Sequence, residues 1–498
     1  VKKIIILASI IASSAAYSAT TASPNETTPI AASKESNAET PMGNALKLFA
    51  EGKHEEALKL AEPLAEQGDA DALYLMGFAN ESGKAPAASI HKAIEFYRKG
   101  IEKKHADSIY RLAFIFISSG KKNRIEEARD LLEKQALVDP AVSGRILGEM
   151  FLNGALTGEP AHETAVSWWE KSSEAGDIPS MLFLARLYDG QLGIQTKNDP
   201  KLAHQYLLMA AEKGSPGAMA ALGSRLLNRK DGKPDEENGI AWLKKAIAAK
   251  DYSAHLALGE YQQLVKKDDK EALSSYTLGA GAGQSDCMIR AAAFHLSGKG
   301  TEKNTARGNE LLEKAAKAGN PDAHLLLAQE LSKEKEPDVG RMYGHLLSAA
   351  NTGSSIAQNE LGLFYFSGKL GVADVSAALS WFARSAQAGF ASAQNNLASM
   401  HERGLGVEQN FDHAAKLYTL AAKQGHSEAS FALARLHANG QGVALSKELA
   451  WAWASLATEQ GDKEKAAKFL LELNKTLSEE QLAAAKKELI ALKSETPK

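Results

Sequence analysis

The chain has 498 residues, 44% of them hydrophobic and 24% charged, with 58 basic against 61 acidic side chains and a formal charge of −3. That near balance excludes a global field able to draw the protein onto nucleic acid or an anionic membrane. A single cysteine, Cys287, excludes an intrachain disulfide framework, so stability must come from packing.

At the start of the chain, Lys2 and Lys3 precede an apolar run from Ile4 to Ala12 and the small residues Ser13 to Ala16. This is the layout of a secretory signal peptide, and the apolar run is about half the roughly 20 residues that span a bilayer. The expectation is a Sec-type signal over residues 1–19, cut near Ala16 or Ala19, and a periplasmic or secreted mature chain. Residues 20–43 are rich in Thr, Ser, Ala, Asn, Glu and Pro with almost no large apolar side chain, the composition of a disordered leader. The folded part is expected to begin near Asn44.

From residue 44 to 476 one pattern recurs. A turn position, usually glycine, falls at Gly68, Lys104, Asp139, Gly176, Gly214, Lys250, Gly283, Gly319, Gly353, Gly389, Gly425 and Gly461, at spacings of 33 to 38 residues. Eleven positions before this anchor stands Ala or Gly in eleven of twelve cases, Met342 being the exception. Nine positions after it stands Ala or Gly in every case but the last, which has Leu470. Small residues at fixed places on two helices let their backbones approach closely while large apolar neighbours fill the remaining volume. The pattern predicts twelve helical hairpins, with a first helix over positions −13 to −2, a left-handed glycine at the anchor and a second helix over +2 to +14. Lys104, Asp139 and Lys250 break the glycine rule, so a different turn is expected there.

Second helices end in a further glycine signal, as in Gly190-Gln-Leu-Gly-Ile194, Gly404-Leu-Gly-Val407 and Gly440-Gln-Gly-Val443. Asp199, Asn304 and Asn410 then stand where they can cap the following helix. After the last hairpin, Ser478 followed at three residues by Gln481 forms a capping box, so residues 477–498 read as a C-terminal capping helix and tail.

The unit Ala378-Leu-Ser-Trp-Phe-Ala-Arg-Ser-Ala-Gln-Ala-Gly389, continuing through Ala393, Leu397-Ala398 and Gly404-Leu-Gly-Val407, closely resembles the Sel1-like repeat (SLR), a relative of the tetratricopeptide repeat (TPR). The resemblance spans about residues 45 to 473 and is degenerate at 229–270 and 330–345. It implies an all-α fold, a right-handed α-solenoid of about twelve tandem SLR/TPR-like helix pairs whose concave face binds partner proteins. The bacterial members it resembles are exported adaptors in envelope assembly, in regulation of cell-wall enzymes or in contact with host proteins. The implied function is a non-enzymatic scaffold of the bacterial cell envelope, with protein partners, no nucleic acid, no cofactor and no transmembrane segment after signal removal. A competing class exists, because some exported members bind or hydrolyse β-lactams. By that analogy the ligand would be a β-lactam or a peptidoglycan fragment, but those members carry paired cysteines in each unit and this chain has one cysteine in all.

Candidate chemistry is sparse. Gly279-Ala-Gly-Ala-Gly283 and Gly77 to Lys84 invite a nucleotide reading, yet the first coincides with the ordinary turn and the second has Ala85 where a phosphate loop needs Ser or Thr. The 13 histidines form no His-Glu-x-x-His motif, so no metal site is predicted. Cys287 falls at position +4, filled by Ala in many units, and reads as a buried spacer. Trp168, Trp242, Trp381 and Trp453 at −8, with Trp169 at −7, read as repeat core, whereas Trp451 lies off the pattern and is the candidate surface aromatic. Position −5 carries Lys99, Lys134, Lys171, Lys245, Lys314 and Arg384. Stacked repeats align equivalent positions, so these six residues are the candidate partner-binding basic stripe, suited to an acidic peptide or an anionic cell-wall polymer. The plainer reading is that cations in the last turn of a helix favour its macrodipole.

Overall fold

The structure is a computed structural model that describes residues 40–192, 198–228, 234–369, 371–461 and 464–495. The expected signal peptide, the leader up to residue 39 and the Gly193-Ile194 end of one helix-stop signal lie outside the described residues. Among the described residues every regular element is helical, and the chain divides into two compact units, one up to Asp251 and one from Tyr252.

The first unit opens with a helix, Pro41–Ala50, that the sequence pattern did not anticipate. Thr40 caps it by accepting from the Gly43 amide at 3.0 Å, and Pro41 takes the first helical position, where its missing N–H costs nothing. Five hairpins follow: His54–Glu66 with Ala70–Glu81, Ile90–Glu102 with Ala106–Ser118, Lys122–Ala136 with Pro140–Leu152, His162–Glu174 with Ile178–Tyr188, and Pro200–Glu212 with Pro216–Leu227. The first helix of a sixth, Glu236–Ala248, closes this unit.

The second unit opens with Ala254–Tyr261, which runs into a π-helical turn, Gln262–Lys266. Its hairpins are Asp269–Gly281 with Ser285–Ser297, Thr305–Lys317 with Pro321–Ser332, Val339–Asn351 with Ser355–Ser367, Val375–Gln387 with Ala391–Arg403, Phe411–Lys423 with Ser427–Asn439, and Lys447–Gln460 with Lys465–Asn474. The final helix, Glu479–Glu495, starts in the predicted capping box: Ser478 Oγ accepts from the Gln481 amide at 3.2 Å, and Gln481 Oε1 accepts from the Ser478 amide at 3.1 Å. It packs on Lys447–Gln460, with Lys493 paired to Glu459 at 2.7 Å.

The turns follow the anchor pattern, with one correction. Eight anchor glycines, Gly68 among them, have φ of 82° to 99°. Lys104 and Lys250 were expected to need a different turn, but they take the same left-handed conformation, with φ of 61° and 66°. The hydrogen bonds are also the same. The Gly68 amide donates to the Ala65 carbonyl and the Asp69 amide to that of Leu64; Lys104 and His105 repeat this to Ile101 and Gly100. An L-residue there bears roughly 1–2 kcal/mol of strain, which the closed turn imposes. Two anchors differ: Asp139, at φ −129°, caps Pro140–Leu152 and leaves Leu137 and Val138 exposed in the turn before it, and Gly461, at φ 131°, donates its amide to the Ala457 carbonyl instead.

The small residues act between hairpins. A Cβ on Gly77 would stand 2.7 Å from the Tyr97 ring, on Gly148 2.6 Å from the Trp169 indole, and on Gly362 2.5 Å from the Phe382 ring. Each of these glycines is at +9 in a second helix, and each aromatic is at −7 in the next first helix. At −11, Gly239 faces the Leu227 side chain and the Gly223 carbonyl, so here two backbones are in near contact. The expectation had placed this close approach within each hairpin; the structure places it between a second helix and the first helix that follows. Residue sizes are matched across the joint. Ala113, Ala185, Ala292 and Ala328 at +9 go with the buried Leu132, Leu207, Leu312 and Leu346 at −7, while Gly223 with Leu243 and Ala398 with Tyr418 are exceptions.

Candidate functional site

The six predicted cations are all exposed, each on a different first helix, four in the first unit and two in the second. Their surroundings fall into two kinds. Lys171 lies over the Trp168 ring at 4.4 Å from its centroid, Lys245 over Trp242 at 4.0 Å, Arg384 over Trp381 at 4.8 Å and Lys99 over Phe96 at 5.9 Å. A separation of three residues puts aromatic and cation on the same helical face, where the ring quadrupole attracts the charge. Lys134 and Lys314 instead pair with the acid one turn earlier, Asp130 at 2.7 Å and Glu310 at 2.8 Å. Hydrogen bonds from Lys314 and Arg307 hold the Glu310 carboxyl down at about 2.

The tryptophans divide accordingly. Trp169 and Trp453 are core, only 1% and 5% exposed. Trp168, Trp242 and Trp381, expected in the core with them, are half-buried and carry a cation on the open side. Trp451 is also half-buried, and its indole N–H donates to Asn474 Oδ1 at 2.7 Å, which ties it to the second helix of its own hairpin.

Sequence reasoning missed a set of shielded polar contacts between successive second helices. Glu81 receives two hydrogen bonds from Arg111, at 3.0 and 2.6 Å, and one from the Tyr97 hydroxyl at 2.6 Å. Glu402 repeats the arrangement with Arg435 at 2.7 Å and Tyr418 at 2.6 Å, and Asp189 pairs with Arg225 at 2.6 Å. All three acids stand at +13, a recurrence that the same register count could have found. A third kind of cluster surrounds Arg145, which lies 3.2 Å from Asp177 and 3.9 Å from Glu149. Burial pushes the Glu149 carboxyl up to about 7; Arg145 opposes the shift and the Asp177 charge adds to it.

Cys287 is fully buried against Gly279, and burial raises its thiol to about 12, far from the thiolate a nucleophile requires. The glycines of Gly279 to Gly283 end the helix Asp269–Gly281 and form its turn. Among the described residues, no group of three or more His, Cys, Asp or Glu is placed to hold a metal ion, and no helix is long and apolar enough to cross a membrane.

Stacked antiparallel hairpins with small residues at each joint define an α-solenoid, the class of protein in which an extended helical surface is the working part. The Sel1 repeat model matches residues 70–105, 145–177, 178–215, 216–251, 285–320, 355–390, 391–426 and 427–462, more than half of the chain, and the protein belongs to the Sel1 repeat family. Most of these matches pair a second helix with the first helix after it, the same two helices that pack most closely here. The crystal structure of c5321, a protective antigen of uropathogenic Escherichia coli strains displaying an SLR fold, aligns over 88% of this chain and 94% of its own, with 22% identity and a TM-score of 0.51. Among curated proteins, the chitin synthase regulator SKT5 of Saccharomyces cerevisiae is 24% identical over 339 residues, 59% of this chain and 48% of the regulator. Protein SHC1 of the same yeast is 26% identical over 182 residues, 34% of this chain and 35% of SHC1. The chain thus spans about half or less of the length of these curated relatives. Sel1 repeat proteins are generally protein-interaction scaffolds, and their fold is typically non-catalytic.

Proposed function

We propose that this protein is a non-enzymatic adaptor of the bacterial cell envelope that binds partner proteins on the first-helix faces of its hairpins. The observation that carries the reading is the recurring shelf of a half-buried tryptophan under a cation, seen at Trp168 with Lys171, Trp242 with Lys245 and Trp381 with Arg384. Tryptophan and arginine dominate the energetics of protein interfaces, and an indole that is neither in the core nor fully wetted is well suited to become one. A cation on top favours partner segments that bring carboxylates next to apolar side chains. The adaptor works outside the cytoplasm, in the periplasm or as a secreted protein; the Lys2 to Ala16 signal layout supports this location.

In-cell cross-linking of the tagged full-length protein, followed by affinity capture and mass spectrometry, tests both parts. A Trp168→Ala/Trp242→Ala/Trp381→Ala variant and a Lys134/Lys171/Lys245/Lys314→Glu variant are run alongside. The expected result is an envelope protein captured by the wild type and lost from the tryptophan variant at unchanged helicity. Capture that survives both variants would remove the first-helix faces from the mechanism, and retention of the wild type in the cytoplasmic fraction would remove the envelope location.

A further inference from the structure

Between the second helix Pro321–Ser332 and the first helix Val339–Asn351, His324 and His345 bring their Nδ1 atoms to 3.0 Å of each other, with ring centroids 5.3 Å apart. Both side chains are half-buried, reachable from solvent and shielded from bulk water. The pair is a double departure from the repeat. Position −8 carries Phe, Leu, Tyr or Trp in most hairpins, and position +5 carries Leu, Ile or Met in several. Equivalent joints therefore bring apolar residues to these places, such as Met181 with Tyr206 and Met288 with Leu311. Here both are replaced by histidine on helices that face each other, within residues 321–354, which the Sel1 repeat model does not match.

Two neutral imidazole nitrogens at this separation can share a proton or share an ion. If each lies about 2.0–2.1 Å from a common ion, nitrogens 3.0 Å apart subtend about 90–97° at it, the angle between adjacent ligands of a square-planar or octahedral ion. The other charges at the joint are Glu313 on the preceding first helix, Thr305–Lys317, and Arg341 one turn before His345, which hold each other at 3.3 Å. Their pairing leaves no net charge to repel a cation. We propose that His324 and His345 form a two-imidazole site for a late first-row divalent metal ion, Cu²⁺ bound most tightly and Ni²⁺ less so, with solvent filling the remaining positions.

The test uses the tag-free full-length chain titrated calorimetrically with Cu²⁺ in a non-coordinating buffer, where weak surface binding forms a separate later phase, together with electron paramagnetic resonance of the protein loaded with one equivalent of Cu²⁺. One site is expected, with nuclear coupling from two imidazoles. Affinity should fall at least tenfold in His324→Ala and in His345→Ala and stay unchanged in His401→Ala, which removes a histidine from another joint. Should the alanine variants melt early, His324→Gln and His345→Gln, which keep a polar group of similar reach, replace them. Equal binding in wild type and the double variant, or a spectrum without two-imidazole coupling, would overturn the site and leave the pair as a proton-sharing hydrogen bond.

Discussion

Gly362→Ala tests the size matching between hairpins. The added methyl would lie 2.5 Å from Phe382 Cε1, where an ordinary carbon contact is about 3.5–4.0 Å, so the ring must retreat by about 1 Å. Phe382 is only 2% exposed and has nowhere to go, so overpacking should cost about 1–3 kcal/mol. Alanine also gains about 1 kcal/mol over glycine inside a helix, which leaves a net loss of about 0–2 kcal/mol. Gly344→Ala isolates that second effect, because Gly344 is exposed within Val339–Asn351 and a Cβ there meets nothing within 4 Å. It should stabilise by about 0.5–1 kcal/mol, and the difference between the two variants is the packing cost. Phe382→Leu in the Gly362→Ala background recreates the natural pairing of Ala328 with Leu346, so the double variant should be more stable than additivity allows by about 1 kcal/mol. Urea unfolding gives the energies, and hydrogen exchange of Ser355–Ser367 localises them. If Gly362→Ala stabilises as much as Gly344→Ala, or if the double variant is simply additive, the size-matching account is wrong.

Four further outcomes follow from the same contacts. Lys104→Gly and Lys250→Gly should each raise stability by about 0.5–1 kcal/mol, strain relief exceeding the entropy of the glycine, as read by thermal melts. Arg111→Ala leaves the shielded Glu81 carboxylate without its cation, held by the Tyr97 hydroxyl alone, and should cost about 3 kcal/mol or more in urea unfolding, with Glu81→Gln/Arg111→Ala recovering part of it. Glu149 has a folded pKa raised from 4.5 to about 7, so the folded state holds the extra proton, and this group's contribution to stability is fully present below about pH 4.5 and lost as pH rises through 7. Glu149→Gln should therefore gain on the order of 2–3 kcal/mol relative to wild type at pH 8 and little at pH 4. The Cys287 thiol should react with a thiol reagent only after unfolding, and Cys287→Leu should destabilise by about 1–3 kcal/mol because Gly279 leaves it no room.

The regularities that repeat were legible in the sequence, and those that occur once were not. The anchor glycines, the small residues at −11 and +9 and the Ser478 capping box follow from backbone geometry that any chain in this fold must satisfy, so they recur in the residue types. Lys104 and Lys250 hid their left-handed turn because lysine carries no signal for positive φ; the surrounding hydrogen bonds impose it. Pro41–Ala50 was obscured by the leader that runs into it, although Thr40-Pro41 is itself a helix-start signal. Counting from the turn paired each first helix with the second helix after it, which is the order of synthesis. Only the lengths of side chains such as Tyr97 and Phe382 over Gly77 and Gly362 reveal the tighter partner. Among site residues, the positions of the six cations on first helices were readable from spacing, but their partners were not. Trp168, Trp242 and Trp381 share an offset with the buried Trp453, and offset alone does not tell a covered indole from a half-open one.

Where the sizes across a joint are matched, they also decide where this gene can be cut and rejoined. Excision of residues 355–390 removes Gly362 together with its partner Phe382 and joins Ser354 to Ala391 behind an ordinary glycine turn. Excision of residues 339–374, a segment of the same length, would instead bring Ala328 to face Phe382, a methyl where the ring requires bare backbone. Recombination that gains or loses a whole repeat is therefore silent in one reading phase and disruptive in the other, so the fold itself selects the phase in which such an array can lengthen or shorten.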